Sequence, residues 1–184
     1  MGRGLKAVAI VLALAAGAAC AQASPFAAFP DVTISYYDVH GGDRAAIRAA
    51  MRKARPTDPN DGQRVDALTR VVLRWSWPIE NGACRLPDAA VRFAATVTLP
   101  RLADPAIVAP RVRADWAAYL AQLVAHERTH LRHGYEGRDE ILAVIKAATC
   151  DTANAAAQAA LRRIQERDRM FDRATEHSKA DAAF

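Results

Sequence analysis

The residues with the most chemistry in them form one pentapeptide, His126-Glu127-Arg128-Thr129-His130. On a helix, histidines at i and i+4 stand on one side a single turn apart, near enough to share an ion, and a glutamate at i+1 flanks it. Zinc takes neutral imidazole nitrogens, and a carboxylate beside the ion is placed to accept a proton from water there. With five histidines in 184 residues, the spacing seldom arises by accident. Trp116, Tyr119, Leu123, His126 and His130 recur at three- and four-residue steps, so both histidines lie on the apolar stripe that faces the core. A pair of hydrogen-bonded core histidines would fit that stripe too, but it leaves Glu127 without a role, and a zinc site is the stronger reading.

A catalytic zinc has three protein ligands and one open position. His133 stands seven residues beyond His126, roughly 10 Å along a helix axis, out of reach unless the helix breaks at Gly134. It is expected to support the site or lie at the surface. Glu136, Glu140 and Asp151 are open as third ligands, and His177 is the remaining downstream histidine.

The elements that must hold this helix follow from local pattern. Residues 32–39 are β-branched and aromatic and predict a strand ending at Gly41-Gly42. Asp43 caps a helix to about residue 54, and residues 55–62 are a loop by their prolines and glycine. Residues 67–77 predict a strand, Pro78 and Asn81-Gly82 turn the chain, and residues 90–99 predict its antiparallel partner. Pro100, Pro105 and Pro110 then punctuate the approach to a helix-forming stretch from 111 to about 175. The expected fold class is α+β, a small antiparallel sheet followed by a helical half carrying the histidines. Trp75 and Trp77 share a strand face and are expected to pack the sheet.

Arg3 and Lys6, an apolar run over residues 7–21 and the A-x-A site Ala21-Gln22-Ala23 predict a signal peptide over residues 1–23, leaving 24–184 as a single domain. The run falls short of the roughly 20 residues a membrane span needs. Lipidation at Cys20 is the lesser alternative, because Gly17 stands where a lipobox has an aliphatic residue. Cleavage removes two of the 25 basic residues and none of the 20 acidic ones, leaving a charge of +3. No basic cluster with interleaved aromatics is present, so nucleic-acid binding has no support. Cys84 and Cys150 remain after cleavage, and an isolated pair in an oxidising compartment forms a bridge.

With these features the sequence resembles a bacterial family of predicted secreted zinc-dependent proteases, known as a domain of unknown function, DUF922. The resemblance covers most of the mature chain. It rests on residues 36–41 (Tyr36-Tyr37-Asp38-Val39-His40-Gly41), the strand Arg74-Trp75-Ser76-Trp77, Cys84, Val97-Thr98-Leu99-Pro100, Trp116, residues 126–130, Cys150 and the tail from Phe171 to His177. In similar proteins that tail is Tyr-Asp-x-x-Thr-x-His-Gly. This chain keeps Asp172, Thr175 and His177, with Phe171 for the tyrosine and Ser178 for the glycine. The resemblance implies that His177 is the third zinc ligand, brought in by a C-terminal helix folded across the motif helix; Asp172 is then placed to hold a ligand imidazole.

Three activities are consistent with these residues. The first is a zincin-type peptidase, periplasmic or secreted, cutting peptide bonds of cell-envelope substrates with a zinc-activated water and Glu127 as general base. An edge strand, residues 91–99, would hold the extended peptide. The second is a non-enzymatic zinc-stabilised binding protein of the envelope, in which Glu127 has no use. The third, hydrolysis of cell-wall peptide, uses the same site as the first.

Overall fold

The computed structural model describes residues 24–176, so the predicted leader, Cys20 and His177 lie outside the described residues. The β-branched and aromatic run forms β1 (Val32–Val39). Asp43 caps α1 (Arg44–Ala54), its carboxylate accepting the Ala46 N–H at 2.9 Å, and Ile47 and Met51 are the residues α1 buries. A loop over residues 55–67 leads to β2 (Leu68–Ser76). A hairpin then joins β3 (Ile79–Glu80) to β4 (Ala83–Cys84). Asn81 and Gly82 sit at φ 50° and 78°, the left-handed pair that a two-residue type I′ turn requires. The chain continues through β5 (Ala90–Leu102), α2 (Pro110–Lys146) and α3 (Ala153–Thr175). The architecture is α+β, a small sheet followed by a helical half, as the order of patterns predicts.

The three-stranded sheet has the order β1-β5-β2. β2 and β5 are antiparallel as expected, with Val71 opposite Ala95 and Trp75 opposite Val91. β1 lies parallel to β5, Val32 opposite Ala95, so the sheet is mixed rather than wholly antiparallel. Alternation marks a strand but carries no information on which neighbour it takes or in which direction. β5 also continues past residue 99, through Pro100. The N–H groups of Ala95 and Ala103 reach β1-side carbonyls, of Asp31 and Val39, so odd residues of β5 point their peptide groups at β1 and even ones at β2. Pro100 therefore directs its missing N–H to the β2 side, beyond Leu68↔Thr98 where β2 pairing ends. Because β5 is central, with residues 95–98 paired on both sides, it is not the edge strand expected from the sequence; the edges of the sheet are β1 and β2.

One face of the sheet, through Phe93, Ala95, Val97 and Leu99, packs on Trp116, Tyr119, Leu123 and Leu131 of α2. α3 lies against α2 through Ala153, Ala157, Ala160 and Ile164, a buried stripe of mostly small residues that lets the two helices approach. Trp75 and Trp77 pack on this second cluster, and the Trp75 indole N–H donates to Asn154 Oδ1 at 3.1 Å.

α2 runs 37 residues, roughly 55 Å, and passes through Gly134 and Gly137 unbroken. Both glycines mark close approaches. A Cβ on Gly134 would lie 2.6 Å from Val71 Cγ1 of β2, and one on Gly137 would lie 2.6 Å from Ile164 Cδ1 of α3. The bridge between Cys84 and Cys150 ties β4 to the turn between the two helices, closing 66 residues of chain. In the chain-entropy account, closing such a loop stabilises the fold by about 4 kcal/mol. At the other end of the sheet, Tyr37 donates to the Asp66 carbonyl at 2.7 Å, Tyr119 donates to the Asp66 carboxylate, and Arg55 pairs with that carboxylate. These bonds fasten the 55–67 loop to β1 and α2.

Two consequences can be measured. Gly134→Ala and Gly137→Ala each raise helix propensity, yet each should lower stability by about 1–3 kcal/mol in denaturant unfolding, because the neighbour has to shift. Burial, with the Asp66 charge added, raises the Tyr37 and Tyr119 hydroxyls above the ordinary 10.0. The stability this contributes is complete below pH of about 10 and lost as pH rises further. Ultraviolet titration should therefore show fewer than four tyrosines ionising before the alkaline unfolding transition, and more of them in Asp66→Ala.

Candidate metal centre

His126, Glu127 and His130 sit in the middle of α2 and all three are buried. Their partners come from the last two turns of α3, where Asp168, Phe171, Asp172 and Thr175 share a face at i, i+3, i+4 and i+7. The helices run in opposite directions, so two carboxylates one turn apart on α3 meet two imidazoles one turn apart on α2. Asp172 Oδ1 lies 3.2 Å from His126 Nε2 and 3.0 Å from His130 Nε2, and the two nitrogens are 2.9 Å apart.

The outer nitrogens of the rings have partners as well. His130 Nδ1 is 2.8 Å from Asp168 Oδ1, which is also 2.9 Å from His133 Nδ1. His126 Nδ1 faces the Thr175 hydroxyl at 3.5 Å, and that hydroxyl donates to the Phe171 carbonyl at 2.8 Å, so it is left to accept. These partners suit an Nδ1–H tautomer on both rings, the form in which the Nε2 lone pairs face the centre and can take a metal. Phe171 stacks on His126 with centroids 4.7 Å apart and meets His130 edge-on at 5.3 Å, fixing both planes.

In that tautomer three acceptor atoms face one another across about 3 Å, an arrangement that a cation between them satisfies. His126, His130 and Asp172 are the group among the described residues whose ligand atoms converge closely enough to hold a metal ion. The nearly equilateral triangle of 2.9–3.2 Å sides falls a few tenths of an ångström short of the roughly 3.3 Å edge of a tetrahedron with 2.0–2.1 Å arms. The donor set therefore fits a tetrahedral divalent ion. The carboxylates also favour positive charge on His130 itself: burial lowers its pKa, but hydrogen bonds to Asp168 and Asp172 outweigh burial and raise it to about 10, so a proton on Nε2 is what a metal ion has to displace.

Glu127 borders the same small cavity, about 20 Å³, which holds roughly one water. Thr69 of β2 donates its hydroxyl to Glu127 Oε2 at 2.6 Å. Burial raises the Glu127 pKa, and the neighbouring His130, the Thr69 hydroxyl and His126 pull it back. Such a carboxylate binds a proton more readily than one in water. Asp58, buried in the 55–67 loop, roofs the cavity while accepting the Asn60 N–H at 2.8 Å.

Set against the sequence, the structure brings together His126, Glu127 and His130. It adds Asp172 as the third converging donor, where the sequence suggested only a supporting carboxylate. Asp168 went unnoticed. Its signal was present in the i, i+4 spacing of Asp168 and Asp172, which mirrors that of the histidines. Glu136, Glu140 and Asp151 are not brought to the centre; Glu140 pairs with Arg167 at 2.7 Å. His133 supports the site through Asp168, as its distance along the helix implied. Tyr135 packs edge-on against Phe29 and Phe93, and exposed His40 faces Asp104 at 3.7 Å.

The chain belongs to the family described as "Bacterial protein of unknown function (DUF922)", whose model matches residues 34–178. No curated protein and no solved structure matches it.

Metal titration separates the roles of the two carboxylates. Asp172→Ala and His130→Ala should abolish binding measured by competition with a chelating dye, whereas Asp168→Asn should weaken it by roughly 10–100-fold. Equal loss in all three would show that Asp168 is itself a ligand.

Proposed function

We propose that this protein is a zinc-dependent peptidase acting outside the cytoplasm. The observation that carries the reading is a pair of facts about one cavity: His126, His130 and Asp172 converge their donor atoms on it, and the buried Glu127 carboxylate borders it without belonging to the converging group. Two imidazoles and a carboxylate form a donor set used by catalytic zinc, which leaves one position open. When bound, the ion supplies a Lewis acid that polarises the carbonyl under attack and makes water acidic.

The chain's own residues do the rest. Glu127 takes the proton of the attacking water and delivers it to the leaving amine, and burial suits it to both tasks by raising its proton affinity. Thr69 holds the carboxylate in place, and Asp168 and Thr175 keep the imidazoles turned. The bridge between Cys84 and Cys150 supports an oxidising compartment, in keeping with the predicted leader. Among the described residues no helix is long and apolar enough to cross a membrane. The substrate we propose is a peptide or protein of the cell envelope. His177, five residues beyond Asp172, is the third ligand the family resemblance implies, and we retain it as the alternative to Asp172 in that position.

The test combines metal analysis with peptide cleavage on the mature protein. One zinc per chain is expected, retained in Glu127→Gln with cleavage reduced at least roughly a hundredfold. If His177→Ala and Asp172→Ala both release the metal, four protein ligands close the site. Zinc retained with no cleavage of any peptide would then make the centre a staple between α2 and α3 in an envelope-binding protein.

A further inference from the structure

A groove of about 310 Å³ lies between β2 and α3 and runs into the metal centre, sharing Thr69, His130 and Asp168 with its cavity. One wall is six consecutive residues of β2, 68–73, so the groove follows the edge of that strand rather than one of its faces. No strand pairs with this edge among the described residues. Since the even residues of β5 point their peptide groups at β2, their partners opposite, such as Val72 and Arg74, point back. The odd residues Thr69, Val71 and Leu73 therefore direct N–H and C=O groups outward, at intervals of roughly 6.8 Å. Thr69 begins this series, and its side chain holds Glu127.

We infer that the groove is a peptide-binding cleft in which the substrate lies extended along β2 from Thr69 to Leu73 and is selected for an apolar side chain one or two residues from the bond at Glu127. This rests on the peptidase reading above. A strand added to an edge turns alternate side chains to opposite faces. The one turned to the helices, level with Val71 and Leu73, enters a hollow closed by Leu161 and Ile164 of α3. Apart from Asp168 at the metal end, that wall offers Gln165 as its polar group. A charged side chain there would lose water without gaining a partner, whereas one the size of leucine fills the space.

The depth of the hollow is set by features already described. Val71 is pressed against Gly134 of α2, and Ile164 against Gly137. Neither can retreat, so the half-buried Leu161 is the wall residue free to be exchanged.

Two measurements test the inference apart from the peptidase reading. In the first, the zinc-loaded protein is given an equimolar peptide library and its products are read by mass spectrometry. Leucine, isoleucine, methionine or phenylalanine is expected to be favoured over charged residues by roughly tenfold or more at one position within two residues of the cut. Leu161→Ala should shift that preference toward larger side chains, and Leu161→Arg toward acidic ones, with metal content unchanged.

The second needs no turnover: hydrogen exchange in Glu127→Gln saturated with an apolar peptide should slow the amides of Thr69, Val71 and Leu73. Cleavage with no preference at that position, or a preference that both Leu161 variants leave in place, would overturn the inference and keep the peptidase. Protection of β2 without cleavage by the wild type would keep the cleft and overturn the peptidase. Neither cleavage nor protection would overturn both.

Discussion

Everything in the helical half depends on how α2 and α3 are set against each other. Their antiparallel register opposes His126 to Asp172 and His130 to both Asp172 and Asp168. Shifting α3 by one residue would turn these carboxylates about 100° away from the histidines, since a helix rotates by that much per residue. Burying such groups is unfavourable unless each meets an opposite charge or a hydrogen bond. The apolar part of the interface has to hold the register that the polar part needs. It does so with small residues: Ala153, Ala157, Ala160 and Gly137 let the helices close on each other, and Ile164 fits against the glycine.

The sheet enters this arrangement at one point. Gly134 admits Val71 to the surface of α2, and two residues earlier on the same face of β2 the Thr69 hydroxyl reaches Glu127. The strand thereby positions the carboxylate on one side of the candidate ion site, while α3 brings Asp172 to the other, against the histidines of α2. The 55–67 loop covers the remaining side with Asp58, and Asp66, bonded to Tyr37, Tyr119 and Arg55, anchors that loop.

Much of this was legible in the amino-acid sequence because it is local. The pair of histidines a turn apart, the Asp43 cap, the Asn81-Gly82 turn and the alternation in β2 and β5 are each set by residues a few positions apart. What was not legible depends on partners distant in sequence. β1 joining β5 in parallel, β5 taking the centre of the sheet and Asp172 becoming a donor each require knowing which elements meet. The two glycines show the difficulty in miniature. Within a helix-forming stretch Gly134 suggested a place where α2 might break, whereas it is a place where α2 is approached. The i, i+4 pair Asp168 and Asp172 could have been noticed as the mirror of the histidines, but only once α3 was known to fold back.

The bridge between Cys84 and Cys150 lies at the turn joining the two helices, with about 29 Å of helix between that turn and Asp172. The hairpin of helices is thus clasped at both ends, by a covalent bond at its closed end and by the contacts of His126 and His130 with Asp168 and Asp172 near its open end. In the metal-bound form proposed above, reduction of the bridge leaves the metal to hold the tips of the helices together, and removal of the metal leaves the bridge to hold their base. Only the second case frees the ends that carry Asp168 and Asp172 while leaving the chain paired behind them. A chain held in this way can exchange an ion at that end without its helices having to find their register anew.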